Sequence, residues 1–258
     1  MISTILKKFV RKGGSYFYGR TPRIHRIPFG PNRGRNIFIS FDISPRMYFG
    51  IDEPWIAELA QTKINYGDVV YDIGAHIGYT CLLFAQRVGK TGFVHAFEIL
   101  PSVAEGFLRK TIQANDFNNV MIHAVGLSSM DKTLELAIGA TMMASLYSNP
   151  IRGDKMELCK TVRLDQYVMR EKLPLPSLIK IDIECAEIDC LQGGIEIIKK
   201  CRPLLIIEFH NLDLLIKGYN ILNSEGYRLI TRKNIIDEKF LQSINYFHES
   251  VFCDNMIS

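Results

Sequence analysis

The chain has 258 residues, with 31 lysines and arginines against 27 acidic residues and 47% apolar side chains. That length suits one α/β domain with an extension, and that apolar share excludes a chain disordered at domain scale. No apolar run reaches the roughly 18 residues that a membrane span needs. The six cysteines show no C-x-x-C spacing, which argues against zinc and for reduced, mostly buried thiols.

The charge is unevenly spread. Residues 1–41 carry nine basic side chains and no acid, leaving 22 basic against 27 acidic residues in the remainder, a net of −5. MISTILKKFVRKGG reads as a basic arm and not as a signal peptide, because it lacks a proper apolar core and a cleavage site. Ile2, Ile5, Leu6, Phe9 and Val10 would give a short helix an apolar face. A contact with an anionic surface such as a membrane is one reading of the arm; a solvated or self-docked extension is the blander and preferred one. Residues 1–52 are read as a basic extension or cap and 53–258 as the main domain. The expected location is cytoplasmic, peripheral to a membrane if the arm binds one. No base-flipping motif of the Asn-Pro-Pro-Tyr type is present, so no specific nucleic-acid partner is expected. The oligomeric state is left open.

Residues 20–50 are rich in Gly, Pro and Arg and contain two β-like runs, NIFISF and RMYFGI, which predict a hairpin or an irregular cap. Pro54 to Ile64 reads as a helix with proline in its first turn. From Gly67 the chain alternates: strands are predicted at 68–73, 92–98, 119–124, 178–183 and 203–208, and helices near 77–88, 101–115, 187–200 and 212–224. Such alternation predicts a mostly parallel, doubly wound sheet. A last pair near 227–231 and 245–253 would complete it, with one strand antiparallel. The insertion at 125–177, which holds KTLELAIG, TMMASLYSNP and CKTVRLD, would overhang the strand ends as part of a substrate lid.

The most informative stretch is VVYDIGAHIG, Val69 to Gly78. It reads as a buried strand ending on Asp72 that turns through Gly74 into a helix opening near Gly78. FVHAFE follows and ends on Glu98. Glycines let a backbone approach a ligand closely, a helix N-terminus favours a negative group, and an acid at the next strand end can accept two ribose hydroxyls. The loop lacks the middle glycine of G-x-G-x-x-G, and Asp72 would repel a pyrophosphate. A nucleoside with an ammonium beside a carboxylate suits it better, and S-adenosylmethionine has both.

A second cluster lies in SLIKIDIECAEID and PLLIIEFH. Lys180 and Asp182 interrupt an otherwise apolar strand, which is costly unless they are paired or functional. Asp182, Glu184, Glu208 and His210 are expected to converge at the C-terminal strand ends. They would bind a divalent metal, with Asp182, Glu184 and Glu208 as candidate ligands, or hold a hydroxyl and remove its proton. A structural ion pair is the plainer account of Lys180 and Asp182.

Taken together, VVYDIGAHIGYT, the AFE strand end, TVRLDQYV, IKIDIECAE and IIEFH resemble, in that order, the FkbM-type family of S-adenosylmethionine-dependent methyltransferases, over roughly residues 67–231. The resemblance implies a Rossmann-like methyltransferase fold and transfer to an oxygen of a sugar or another small-molecule or glycan acceptor. It also implies that Asp72, Gly74, Ala75, His76 and Gly78 hold the methionine end, Glu98 the ribose and Ile99 the adenine. Three positions depart from the family pattern: His76 stands for Asn, Ile99 for Pro, and Cys185 for Gly.

The expected activity is therefore O-methyl transfer, with His210 as first choice of base and Asp182 and Glu208 orienting the acceptor. Asp182 also borders the cofactor. Two rivals are a nicotinamide-dependent oxidoreductase, against which the missing G-x-G counts, and a non-catalytic binding protein on the same fold, for which Cys185 counts.

Overall fold

The structure is a computed structural model that describes residues 19–138 and 155–255. It opens with an antiparallel hairpin of β1 (Arg23–Arg26) and β2 (Asn36–Ile39), then α1 (Pro45–Phe49) and α2 (Pro54–Lys63). The run RMYFGI, expected to be β-like, is thus largely helical. The Ser44 side chain accepts the Met47 N–H, Pro45 starts the helix, and Gly50 ends it at φ 79°. A cap, a first-turn proline and a left-handed stop outweigh the β propensity of the aromatic residues.

β3 (Val69–Ile73), α3 (Tyr79–Val88) and β4 (Phe93–Phe97) follow. The next helix, α4, comprises Pro101–Val103, one π-type turn at Ala104–Leu108, and Arg109–Gln113. Next come β5 (Val120–His123), β6 (Gly126–Leu127), β7 (Lys132–Ala137), β8 (Met156–Val162) and α5 (Leu164–Arg170). Then come β9 (Leu178–Ile181), α6 (Glu187–Gly193), α7 (Ile195–Cys201), β10 (Leu204–Phe209) and α8 (Leu212–Ser224). β11 (Tyr227–Ile230), β12 (Ile235–Ile236), α9 (Glu238–Ser243) and β13 (Glu249–Asn255) end the described chain.

The central sheet has eight strands in the order β12-β11-β13-β10-β9-β3-β4-β5. The five from β5 to β10 pair in parallel, and β13 lies antiparallel between β10 and β11. The expected α/β fold with an antiparallel strand near the C-terminus is the one found. The single helix expected over 187–200 breaks at Gly194, which ends α6 and precedes α7. A Cβ on Gly193 would lie 2.0 Å from the Ser128 carbonyl oxygen. The insertion forms a small sheet of β6, β8 and β7.

The described part of 1–52 is built into the body. Phe38 N–H donates to Thr111 Oγ1 at 3.0 Å and Asn36 N–H to Asn115 Oδ1 at 2.9 Å, both on or beside α4. Ile27, Ile37, Ile39 and Tyr48 share a core cluster with Ile77, Leu82, Leu100 and Val103. The arm with Ile2 to Val10 lies outside the described residues, as does TMMASLYSNP of the expected lid. No helix among the described residues is long and apolar enough to cross a membrane. All six cysteines are free.

β4 and β5 bring two histidines together inside the sheet. His95 Nδ1 lies 3.0 Å from His123 Nε2, and His123 Nδ1 lies 3.0 Å from the Tyr167 hydroxyl. Burial pushes both imidazoles down to about 4. A depressed folded-state value means that the unfolded chain binds the proton first, so the stabilising contribution is complete above about pH 6.5 and is lost as pH falls towards 4. The urea midpoint should drop over that window. The drop should be smaller in a His95→Phe variant, which removes one of the two groups that must stay neutral.

Candidate active site

A cavity of about 950 Å3, part of it open to solvent, lies at the C-terminal ends of β3, β4 and β9. In open α/β sheets ligands bind at this edge. Ile73, Gly74, Ala75 and His76 form one wall, Glu98 and Ile99 the next, and Asp182, Ile183 and Glu184 a third. Val125, Gly126 and Leu127, at the start of the insertion, line it too. Met47 and Glu53 reach it from the N-terminal elements.

Beneath the cavity is a buried charge cluster. The Lys180 ammonium donates to Asp182 Oδ2 at 3.1 Å and to the Gly74 carbonyl at 3.1 Å, and lies 3.7 Å from Asp72 Oδ1. Asp72 Oδ2 accepts from Thr80 Oγ1 at 2.7 Å and from the Cys81 thiol at 3.0 Å. Burial opposes the charge on Lys180, but Asp182 and Asp72 outweigh it and hold the amine protonated well above its usual range. Burial likewise works against ionised Asp182, and Lys180 overcomes it, so its acidity is increased. Asp72 has 0% exposure and does not reach the cavity wall. Its expected contact with the methionine end is therefore replaced by the task of neutralising Lys180.

Two glycines also differ from expectation. Gly78 lies off the cavity, and a Cβ there would meet Leu108 Cδ1 at 2.7 Å, so it lets α3 pack on α4. Gly74 does line the cavity, but a Cβ on it would point into the Asp182 carbonyl oxygen at 1.8 Å rather than into ligand space. The loop's donors are largely spent. Gly74 and Ala75 N–H donate to the Phe97 carbonyl, Gly78 N–H to that of Ala75, and His76 N–H to Glu98 Oε2 at 2.9 Å.

Glu98 is held by two backbone donors, since Leu100 N–H donates to Oε1 at 3.0 Å. Each oxygen keeps lone-pair capacity on the cavity side, where a ribose diol could donate to it. Burial raises its pKa to about 7 against the pull of those two N–H groups. Ile99 offers an apolar side chain to the cavity and also packs over Gly126, whose Cβ would lie 2.5 Å from Ile99 Cδ1.

After Asp182 the backbone takes an unusual course. Glu184 and Cys185 are both left-handed, at φ 51° and 78°, as is His76 at 50°. Cys185 therefore adopts the conformation that glycine takes easily, at a strain cost of about 1–2 kcal/mol. Its N–H donates to Glu187 Oε1 at 3.0 Å. The same oxygen accepts from His210 Nδ1 at 2.8 Å, which leaves Nε2 facing Glu184 Oε2 at 3.6 Å and Asp182 Oδ1 at 3.8 Å. Burial disfavours the imidazolium, but Glu187, Asp182 and Glu184 together push its pKa up to about 9. Burial raises Glu184, with Asp182 and Glu187 adding to the effect against His210.

The four expected residues thus come together, but in two ranks. Asp182 and Glu184 line the cavity, whereas His210 and Glu208 stand behind them. Glu208 Oε1 is 3.1 Å from His248 Nε2. Among the described residues, Glu208, His210 and His248 each present a ligand atom within 4.8 Å of the others, a spacing open to a transition metal. Asp182 is taken up by Lys180, so the metal-like grouping is not the expected one of Asp182, Glu184 and Glu208. Glu187, His248 and Glu53 were not singled out from the sequence. Glu187 sits inside the IECAEID run and was legible as a third acid. His248 and Glu53 lie far from any motif, and nothing in their local sequence marks them.

A family model for the methyltransferase FkbM domain matches residues 72–229. A hexuronic acid methyltransferase of Haloferax volcanii is 22% identical over 155 residues, covering 60% of this chain and 61% of its own length. The chain thus spans about three-fifths of that relative. An FkbM methyltransferase structure from Methylobacillus flagellatus superposes with a TM-score of 0.51 at 16% identity, covering 78% of this chain and 51% of that one. This likeness shows the Rossmann-like methyltransferase fold.

Replacing Lys180 with Met should strand two carboxylates, one of them fully buried. Chemical denaturation should show a loss of about 3–5 kcal/mol, the usual cost of breaking a buried pair from one side. Adding Asp72→Asn to that variant should recover part of it.

Proposed function

The chain belongs to the FkbM methyltransferase family, and on that premise we propose that it is an S-adenosylmethionine-dependent O-methyltransferase acting on a hydroxyl of a sugar or other small-molecule or glycan acceptor. The observation that carries the cofactor assignment is Glu98, a carboxylate fixed by two backbone donors on the wall of a cavity at the strand ends. Gly74, Ala75 and His76 would border the methionine tail, and Ile99 with Leu127 would cover the base. When bound, S-adenosylmethionine supplies a methyl group already activated by its sulfonium. The relative that is a hexuronic acid methyltransferase supports a sugar acceptor.

The protein's own tasks are then to align the acceptor oxygen, exclude water and take a proton from a poor nucleophile. A base must be unprotonated at the working pH and must reach the oxygen. His210 meets neither condition near neutrality, since its carboxylate neighbours keep it charged and it lies behind the cavity wall. Asp182 is pinned by Lys180, and its lowered pKa makes it a weak base. Glu184 lines the cavity and has a raised pKa, so it is the proposed base. His210 becomes a positioning residue: Glu187 fixes its ring, and its charge holds Glu184 and Asp182 in place. The left-handed backbone at Glu184 fits a side chain held for function rather than for packing.

Isothermal titration should detect S-adenosylhomocysteine binding, and Glu98→Ala should weaken it by roughly 1.5–3 kcal/mol per charged hydrogen bond lost. Unchanged affinity would place the ribose elsewhere.

Turnover should fall by about 10²–10⁴-fold in Glu184→Gln, with S-adenosylhomocysteine affinity kept. The wild-type rate should rise as Glu184 loses its proton and fall again as pH passes about 9 and His210 loses its charge. That falling limb should disappear in His210→Gln. A wild-type rate that instead climbs all the way to pH 9 would return the role of base to His210.

A further inference from the structure

Almost every carboxylate around the cavity faces a cation or a backbone N–H, although Asp72 Oδ1 and Glu187 Oε2 are buried without a hydrogen bond. Asp72 and Asp182 share Lys180, Glu187 and Glu184 face His210, Glu208 faces His248, and Glu98 accepts two backbone N–H groups. Glu53 is the exception. It lines the cavity, yet its side chain makes no hydrogen bond or ion pair with any described residue.

Its position makes this unusual. Glu53 is the N-cap of α2, held left-handed at φ 46°, and its side chain does not cap the helix. An acid at a helix N-terminus is normally stabilised there by the unpaired N–H groups. This one turns instead into a half-buried space beside Asp182 and Glu208, whose charges repel it. Lys180 attracts it but donates to Asp182 and the Gly74 carbonyl, lies 3.7 Å from Asp72, and forms no ion pair with Glu53. Burial and the neighbouring carboxylates raise its pKa to about 7, against the pull of Lys180. A half-buried carboxylate in an acid-rich cavity, with no cation paired to it among the described residues, calls for a positive partner, and a ligand can bring one.

We propose that Glu53 is the ammonium receptor of this cavity, binding a protonated primary amine carried by the ligand. A compact ammonium with three donors suits a single carboxylate that has no second free acid beside it. The amine has two chemical sources: the amino-acid tail of the cofactor, or an amino group next to the acceptor hydroxyl. The inference rests on the cofactor assignment above and extends it.

The test is calorimetry on the full chain, with nucleosides that differ in the amino-acid tail carrying the amine and sugars that differ in an amino group. S-adenosylhomocysteine carries the tail ammonium, and 5′-methylthioadenosine lacks the whole amino-acid tail while keeping base and ribose. If the tail is the source, Glu53→Gln weakens the first by about 10- to 100-fold and leaves the second unchanged. If the acceptor is the source, S-adenosylhomocysteine affinity is unchanged, and protein saturated with it binds glucosamine in preference to glucose until Glu53 is replaced. 5′-Methylthioadenosine also reports whether the variant is folded. A second measurement needs no variant: in the wild type, the affinity ratio of the amine-bearing ligand to its amine-free partner should fall as pH drops through about 7 and Glu53 takes up a proton. Glu98 titrates in the same range but faces both nucleosides, so it cancels from their ratio. The inference is overturned if neither amine-bearing ligand responds to Glu53→Gln, or if both nucleosides weaken equally. If the wild type binds neither nucleoside, the cofactor assignment falls with it.

Discussion

The Lys180 ammonium is the point from which the rest of the site is built. It sits in the central strand β9 with 3% of its side chain exposed, and it draws together groups from three separate segments: Asp72 from β3, by charge alone at 3.7 Å, and by hydrogen bonds the Gly74 carbonyl from the following loop and Asp182 from the end of its own strand. Removing a charge from water is affordable only when every donor finds an acceptor. That requirement fixes the loop after β3 against the loop after β9. Gly74 is part of the same constraint, since any Cβ would push the two backbones apart. The two sides of the cavity are therefore held in register from below.

Above that layer the cavity is acidic, and it is kept so by indirect means. Two backbone N–H groups hold Glu98 without neutralising it. Glu187, wholly buried, gives one oxygen to both Cys185 N–H and His210 Nδ1, and so ties the left-handed turn to the C-terminal end of β10. A single carboxylate thus sets both the path of the chain and the orientation of an imidazole. The result is a rim of carboxylates around a space suited to a ligand with positive charge on its sulfur and its tail.

Much of this was legible in the residues, and the misses have physical causes. The alternation of apolar strands and amphipathic helices gave the parallel order, because buried strands must be apolar on both faces and a crossover must be a helix. Glu98 and Asp182 were readable because acids at strand ends are expensive without a purpose. Asp72 departs from expectation because its position in the motif says that it lies near the loop, but not which way it points. Only the packing of Thr80, Cys81 and Lys180 decides that. RMYFGI was misjudged because its aromatic residues look strand-like, while the Ser44 cap and Pro45 act locally and more strongly. The ordering of His210 behind Glu184 depends on Glu187, and a one-dimensional pattern shows three acids in a row without showing which is buried. Glu53 and His248 enter the site only through the fold.

Of the seven left-handed non-glycine residues among those described, Glu53, His76 and Glu184 line the cavity and Cys185 lies in the turn that forms its rim. Each stores backbone strain that a glycine or asparagine would relieve. Selection for heat resistance alone, with no demand for catalysis, would therefore act on residues that shape the pocket. A laboratory lineage evolved that way would grow sturdier as it lost its chemistry. At these positions stability and the shape of the pocket pull in opposite directions.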